Sequence, residues 1–109
     1  MLNKTPHDQC IFCNKINCKI IKSTKYFFII RDTAYPVTKH HTLIVANRHL
    51  SDYFDLKKEE MVELNEILND QKKELQLLDN QITGFNVGVN IGKDAGQSIM
   101  HCHIHLIPR

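Results

Sequence analysis

Residues 100–109 read MHCHIHLIPR. Histidines stand at 101, 103 and 105, alternating with Cys102, Ile104 and Leu106. Side chains of a β-strand point alternately to its two faces. A strand predicted over Ile99 to Ile107 therefore carries His101, His103 and His105 on one face. Met100, Cys102, Ile104 and Leu106 share the other, which reads as core. The histidine face reads as a polar site, because three imidazoles gain little from burial in hydrocarbon. Three explanations fit that face. It is a solvent-facing strand that happens to be rich in histidine, a zinc site of three neutral imidazoles with an open position, or a site for phosphate chemistry. In the last, a neutral imidazole is the nucleophile and its neighbours donate hydrogen bonds to phosphate oxygens.

The segment just upstream favours phosphate. NIGKDAGQS supplies Asn90, two glycines, Gln97 and Ser98. Glycine lets the backbone approach an anion closely, and amide and hydroxyl groups can bind its oxygens.

Farther out, the periodicities describe the scaffold. GFNVGVN alternates Phe85, Val87 and Val89 against Asn86, Gly88 and Asn90, the pattern of a half-buried strand. YFFII, residues 26–30, is apolar throughout, as expected of a strand covered on both faces. HTLIVA, His41 to Ala46, is a third strand rich in β-branched residues, and Lys19 to Lys22 a short one. Pro36 marks the loop between the second and third. Asp55 is a predicted N-cap for a helix from Leu56 to Leu78. Met61, Leu64, Leu68, Leu75 and Leu78 form its apolar stripe, with Gln71 filling a gap. About five strands, short connections and one long helix predict a single α+β domain, its sheet antiparallel and its helix on one face. Residues 1–9 read as a flexible N-terminal arm and residues 10–109 as the domain.

Bulk properties set limits. The chain has 109 residues, 42% of them hydrophobic and 24% charged, enough for one core. A net charge of +2 gives no case for nucleic acid or a membrane surface. No apolar run is long enough for a transmembrane helix, and the polar start lacks a signal-peptide core. A cytoplasmic, reducing setting is the expectation. There, Cys10 and Cys13 read as a metal or redox pair rather than a disulfide.

Taken together these stretches resemble the histidine triad (HIT) superfamily. HCHIHLI matches its His-apolar-His-apolar-His-apolar-apolar motif. CIFCNKI, HTLIVANRHL and GFNVGVNIGKDAGQSIMHCHIHLIPR follow in the family's order and spacing, so the resemblance spans Cys10 to Arg109. It implies a five-stranded antiparallel sheet with one long helix, and a homodimer. It also implies a nucleotide hydrolase or transferase acting at the α-phosphate of a nucleoside phosphoramidate or nucleotidyl compound. The implied substrate is a purine nucleotide; no nucleic acid and no membrane partner are expected. A binding or sensing module that uses the same pocket without turnover is the alternative.

The resemblance carries over residue by residue. His103 matches the nucleophile, which forms a covalent nucleotidyl-histidine. His105 and His41 match histidines beside the same phosphate. Asn90 and Ser98 match phosphate-site positions, with Gln97 adjacent. Asp32 matches the acidic residue at the ribose hydroxyls, and Ile29, Ile30 and Leu43 the base-pocket walls. The zinc-containing, Hint-like branch binds a structural zinc through two cysteines and two histidines, here Cys10, Cys13, His49 and His101. A closed set of that kind leaves no open coordination position, so no catalytic metal is expected. Cys18 is expected to be a non-ligand and Cys102 a filler on the core face.

Overall fold

The structure is a computed structural model and describes residues 10–15 and 18–109. The arm expected at residues 1–9 lies outside them. β2 (Phe27–Arg31) and β3 (Thr42–Ala46) are the interior of the sheet, and every residue from Phe27 to Ile30 and from Thr42 to Ala46 is buried. β5 (His103–Pro108) lies beside β3; β1 (Ile20–Ser23) and β4 (Phe85–Gly88) form the edges. The order is β1-β2-β3-β5-β4, with all neighbours antiparallel. This is the single α+β domain the sequence predicts.

The two faces of the sheet are buried differently. Phe27, Ile29, Ile44, Ala46, Cys102 and Ile104 pack against Leu64 and Ile67 of the long helix α2 (Lys58–Leu78). Fully burying a side chain of this size contributes roughly 1.5–3 kcal/mol. Phe28, Ile30, Leu43 and Val45 point the other way and pack with Cys10 and Phe12, the latter from the four-residue helix α1 (Ile11–Asn14). Register brings Val45 opposite His103 and Leu43 opposite His105. Directly paired residues share a face, so β5 carries these histidines away from α2.

Boundaries shift for local reasons. α2 begins at Lys58, and Asp55 belongs to a short 3-10 turn, Tyr53–Asp55, that Asp52 caps by accepting from the Phe54 amide at 2.8 Å. The helix itself is capped by Glu60, which accepts from the Lys57 amide at 2.8 Å and pairs with Arg48 at 3.0 Å. Leu56 and Met61, at N′ and N4, pack on the same core, the placement of a hydrophobic staple. Ile67 joins the buried stripe, whereas Leu78 is 61% exposed. The chain turns after α2 and lays Ile82, instead of Leu78, against Leu75 and Leu106.

Two further expectations are modified. Phe85 and Val89 pack inward, but Val87 is 56% exposed, because β4 is an edge strand. The final strand begins at His103 rather than Ile99. His101 and Cys102 precede it in an irregular segment held by Cys102 N–H to Leu50 O (2.6 Å) and Ala46 N–H to Cys102 O (3.1 Å). Gln71 is fully buried for a specific purpose. Its Oε1 accepts from Arg31 at 2.7 Å, its Nε2 donates to Glu74 at 2.7 Å, and Arg31 also donates to Thr42 Oγ1 at 2.9 Å.

Candidate active site and metal cluster

Cys10, Cys13, His49 and His101 converge, and one ligand atom from each lies within 4.8 Å of all the others. Cys10 Sγ and Cys13 Sγ stand 3.3 and 3.4 Å from His101 Nδ1, and His49 Nδ1 lies 2.9 Å from Cys13 Sγ and 3.3 Å from His101 Nδ1. Tetrahedral zinc, with bonds of about 2.0–2.3 Å, spaces its ligands by about 3.3–3.8 Å, so the donor set and spacing fit such an ion. The second shell fits as well. His101 Nε2–H donates to Ala46 O at 2.6 Å, which leaves Nδ1 with its lone pair toward the cluster. Local sequence explains the arrangement: α1 turns Cys10 and Cys13 to one side, and the Cys13 amide donates to Cys10 Sγ at 3.4 Å. Cys18 is not in this cluster, and burial raises its thiol pKa. Cys102 is buried in the core, where desolvation pushes its pKa up to about 12.

His103 stands next along the same face. Its Nδ1 lies 2.7 Å from the His101 carbonyl. A carbonyl only accepts, so the proton is on Nδ1 and the Nε2 lone pair is free. Burial lowers the pKa of His103, which favours the neutral ring. Phe12 packs edge-on against His103, ring centres 5.2 Å apart, and against His101 at 5.7 Å. One side chain between the two cysteines thus buttresses both histidines.

His105 and His41 form a second pair. The Val37 amide donates to His41 Nδ1 at 3.0 Å, and His41 Nε2 lies 2.9 Å from His105 Nδ1. A neutral His41 that accepts at Nδ1 carries its proton on Nε2 and donates it to His105 Nδ1. His105 then carries its own proton on Nε2. Desolvation, reinforced by the neighbouring His103 and His41, pushes the pKa of His105 down to about 4. His41 is lowered by its burial, partly offset by Asp32, whose carboxylate is 4.0 Å away.

These groups border a cavity of about 710 Å³ that crosses the sheet. Ile11, Phe12, Ile30 and Leu43 wall an apolar end. Asp32 lies beyond β2, its Oδ1 accepting from the Ala34 and Tyr35 amides at 3.2 and 3.1 Å in an Asx-type turn. His41, His103, His105, Asn90 and Ser98 also line the cavity. The structure thus brings together the candidate residues Asp32, Ile30, Asn90, Ser98, His41, His103 and His105. Gln97 stands apart: its amide donates to Ser51 O and Ile99 O, and its Oε1 accepts from Gly92, so its side chain braces the loop. Ile29 faces α2 instead of the cavity. Phe12 and the Val37 amide are the contributions that sequence reasoning missed. A backbone amide leaves no signal in side-chain chemistry, and Phe12 reads as an ordinary apolar residue until β5 is placed beside it.

The family model for the HIT domain matches residues 14–109. An uncharacterized HIT-like protein of Mycoplasma pneumoniae is 31% identical over 94% of this chain and 73% of its own length. An adenosine 5′-monophosphoramidase of Candida albicans is 28% identical over 94% of this chain and 72% of its own. Among solved structures, a zinc-bound histidine triad protein from Mycobacterium smegmatis superposes with a TM-score of 0.83 at 26% identity, over 95% of this chain and 77% of that one. The Plasmodium falciparum diadenosine triphosphate hydrolase superposes with a TM-score of 0.77 at 32% identity, covering 83% of this chain and 60% of that chain. A five-stranded antiparallel sheet under one long helix, with three alternating histidines on the face away from that helix, is the histidine triad fold. The chain belongs to the HIT domain family.

Proposed function

We propose that this protein is a nucleotide hydrolase or transferase that acts at the α-phosphate of a purine nucleoside phosphoramidate or nucleotidyl compound. The observation that carries this reading is the state of His103: a buried neutral imidazole, its Nδ1–H fixed on the His101 carbonyl, its Nε2 free, in the wall of a cavity with an apolar end. The base would occupy that end, against Ile30 and Leu43. Asp32 has its second carboxylate oxygen available for a ribose hydroxyl. Asn90 and Ser98 would hold oxygens of the α-phosphate. His103 Nε2 attacks phosphorus, a P–N bond forms, and the bond to the leaving group breaks. The Nε2–H of His105 donates a hydrogen bond to the departing atom, which takes its proton from solvent. Water then attacks phosphorus and releases a proton to solvent, the P–N bond breaks, His103 returns to its neutral form, and the nucleoside monophosphate departs. Two displacements through a covalent intermediate replace one harder step. The activity named for the Candida relative belongs to this chemistry.

In the same reading Cys10, Cys13, His49 and His101 hold a structural zinc of the Hint-like kind. The ion would fasten α1 to the triad segment; the likeness to a zinc-bound family member supports it. A homodimer, residues 10–109 as its domain and a cytoplasmic location belong to the proposal. The described residues include no helix long and apolar enough to cross a membrane. The test is hydrolysis of a fluorogenic adenosine phosphoramidate. Wild type is expected to turn it over and His103→Ala to lose at least about a thousandfold, a loss expected when a nucleophile is removed. Undiminished turnover by His103→Ala would remove the mechanism.

A further inference from the structure

The cavity continues past the histidines. From Ile30 and Leu43 it crosses β5 at His103 and His105, then runs over the edge strand at Gly88 and Asn86. Gly88 pairs with His105 and Asn86 with Ile107, so both lie on the histidine face. Arg109 comes two residues after Ile107 on that face. Strand-like pairing continues there: the Arg109 amide donates to Gly84 O at 2.8 Å, and the Arg109 carbonyl accepts from the Gly84 and Thr83 amides at 3.2 and 2.9 Å. Arg109 Nε donates to Asn86 Oδ1 at 2.6 Å. This bond clamps the guanidinium to a residue of the cavity wall. Its two terminal nitrogens have no partner among the described residues. Asp32 is the only carboxylate among the described residues lining the cavity, and it lies beyond β2, across β3 and β5 from Asn86. Arg109 is exposed and stands just outside the lining, at the rim beside Asn86, and its positive charge helps lower the pKa of His41.

We propose that Arg109, oriented by Asn86, forms the leaving-group end of the pocket and favours substrates whose leaving group is anionic, such as a polyphosphate chain, over those that expel an amine. The proposal rests on the reading of this cavity as a nucleotide site. With the base at the apolar end and the α-phosphate over His103, further phosphates can run across β5 toward Asn86. A guanidinium with Nε already committed still offers its outer N–H groups to phosphate oxygens, and charge-assisted bonds of this kind are the strong ones. Asn86 acts as a positioning residue, because it touches the guanidinium and holds its plane.

Calorimetric titration of AMP and of magnesium-free ATP into each protein separates the ends of the pocket. ATP extends two phosphates past the α position, and AMP none. The ratio of ATP affinity to AMP affinity is expected to fall about tenfold in Arg109→Ala, equivalent to about 1.4 kcal/mol. Arg109→Gln, which keeps bulk and hydrogen-bonding capacity, is expected to fall similarly, Arg109→Lys to recover part of the ratio, and Asn86→Ala to lose a smaller part. A ratio that stays at its wild-type value in Arg109→Ala and Arg109→Gln would overturn the subsite and leave the nucleotide pocket standing. Failure of wild type to bind AMP at all would overturn both.

Discussion

At the scale of single residues, the site works by fixing which nitrogen of each imidazole carries a proton. Two backbone groups do this: the His101 carbonyl for His103, and the Val37 amide for His41 and, through it, His105. The same burial has a measurable cost in acid. His105 lies at about 4, and His41 is also lowered, both from an ordinary 6.5. As pH falls below 6.5 the unfolded chain takes up these protons before the folded one does. Stability contributed by the neutral pair is complete above about pH 6.5 and is lost as pH falls toward 4. Thermal unfolding followed from pH 7.5 to 4.5 should therefore show a steeper loss for wild type than for His105→Gln, which has no group to titrate there. Equal slopes would contradict the assignment. The three alternating histidines were legible because strand periodicity forces them to one face. Their protonation was not, because it depends on backbone groups that only the folded chain brings into range.

At the scale of elements, α1 and α2 do unequal jobs. α1 is only four residues long, too short to be stable alone, and its cysteines give it a reason to hold its shape. Cys10→Ser is expected to lower zinc content measured by elemental analysis and to lower the melting temperature. A full zinc complement in that variant would break the four-ligand assignment. α2 supplies the core, and the polar Gln71 within its buried stripe is structural. Gln71→Leu makes the stripe more apolar, yet it removes one of the two acceptors of Arg31, whose pKa is lowered by burial. Chemical denaturation should show a loss of about 1–3 kcal/mol, the cost of leaving a buried donor unsatisfied; a gain in stability would refute the role. The stripe itself was legible from the spacing of Leu64, Leu68 and Leu75. Asp55 was misread as the cap, since the signal that decides it, a carboxylate at Glu60 reaching back to the Lys57 amide, competes with two nearby aspartates. Gln97 reads as a phosphate contact from the amide chemistry of its loop and its place beside Ser98. In the fold its amide is consumed by loop backbone.

At the scale of the molecule, one sheet separates two functions. The face toward α2 is hydrocarbon and stabilises the fold. The opposite face holds, in a line along the last strand and its approach, the cysteine–histidine cluster at His101, the proposed nucleophile His103, His105 paired with His41, and the guanidinium of Arg109. Linear order along one strand is why so much of the site could be read from ten residues. The remaining contributors arrive from other elements: Asp32 and His41 are interpretable through family resemblance, Phe12 only through contact. A homodimer is the expected assembly, and sedimentation equilibrium should return twice the 12.7 kDa chain mass. A single-chain mass at micromolar concentration would refute it.

The covalent step is the claim on which the functional reading depends, and it can be observed directly. Wild type and His103→Ala would be mixed briefly with an adenosine phosphoramidate, quenched, and weighed intact by mass spectrometry. Covalent catalysis predicts a fraction of wild type heavier by one adenylyl group, mapped to the peptide containing His103, and no such species in the variant. Turnover by wild type without any adduct, or the same adduct on His103→Ala, would contradict it.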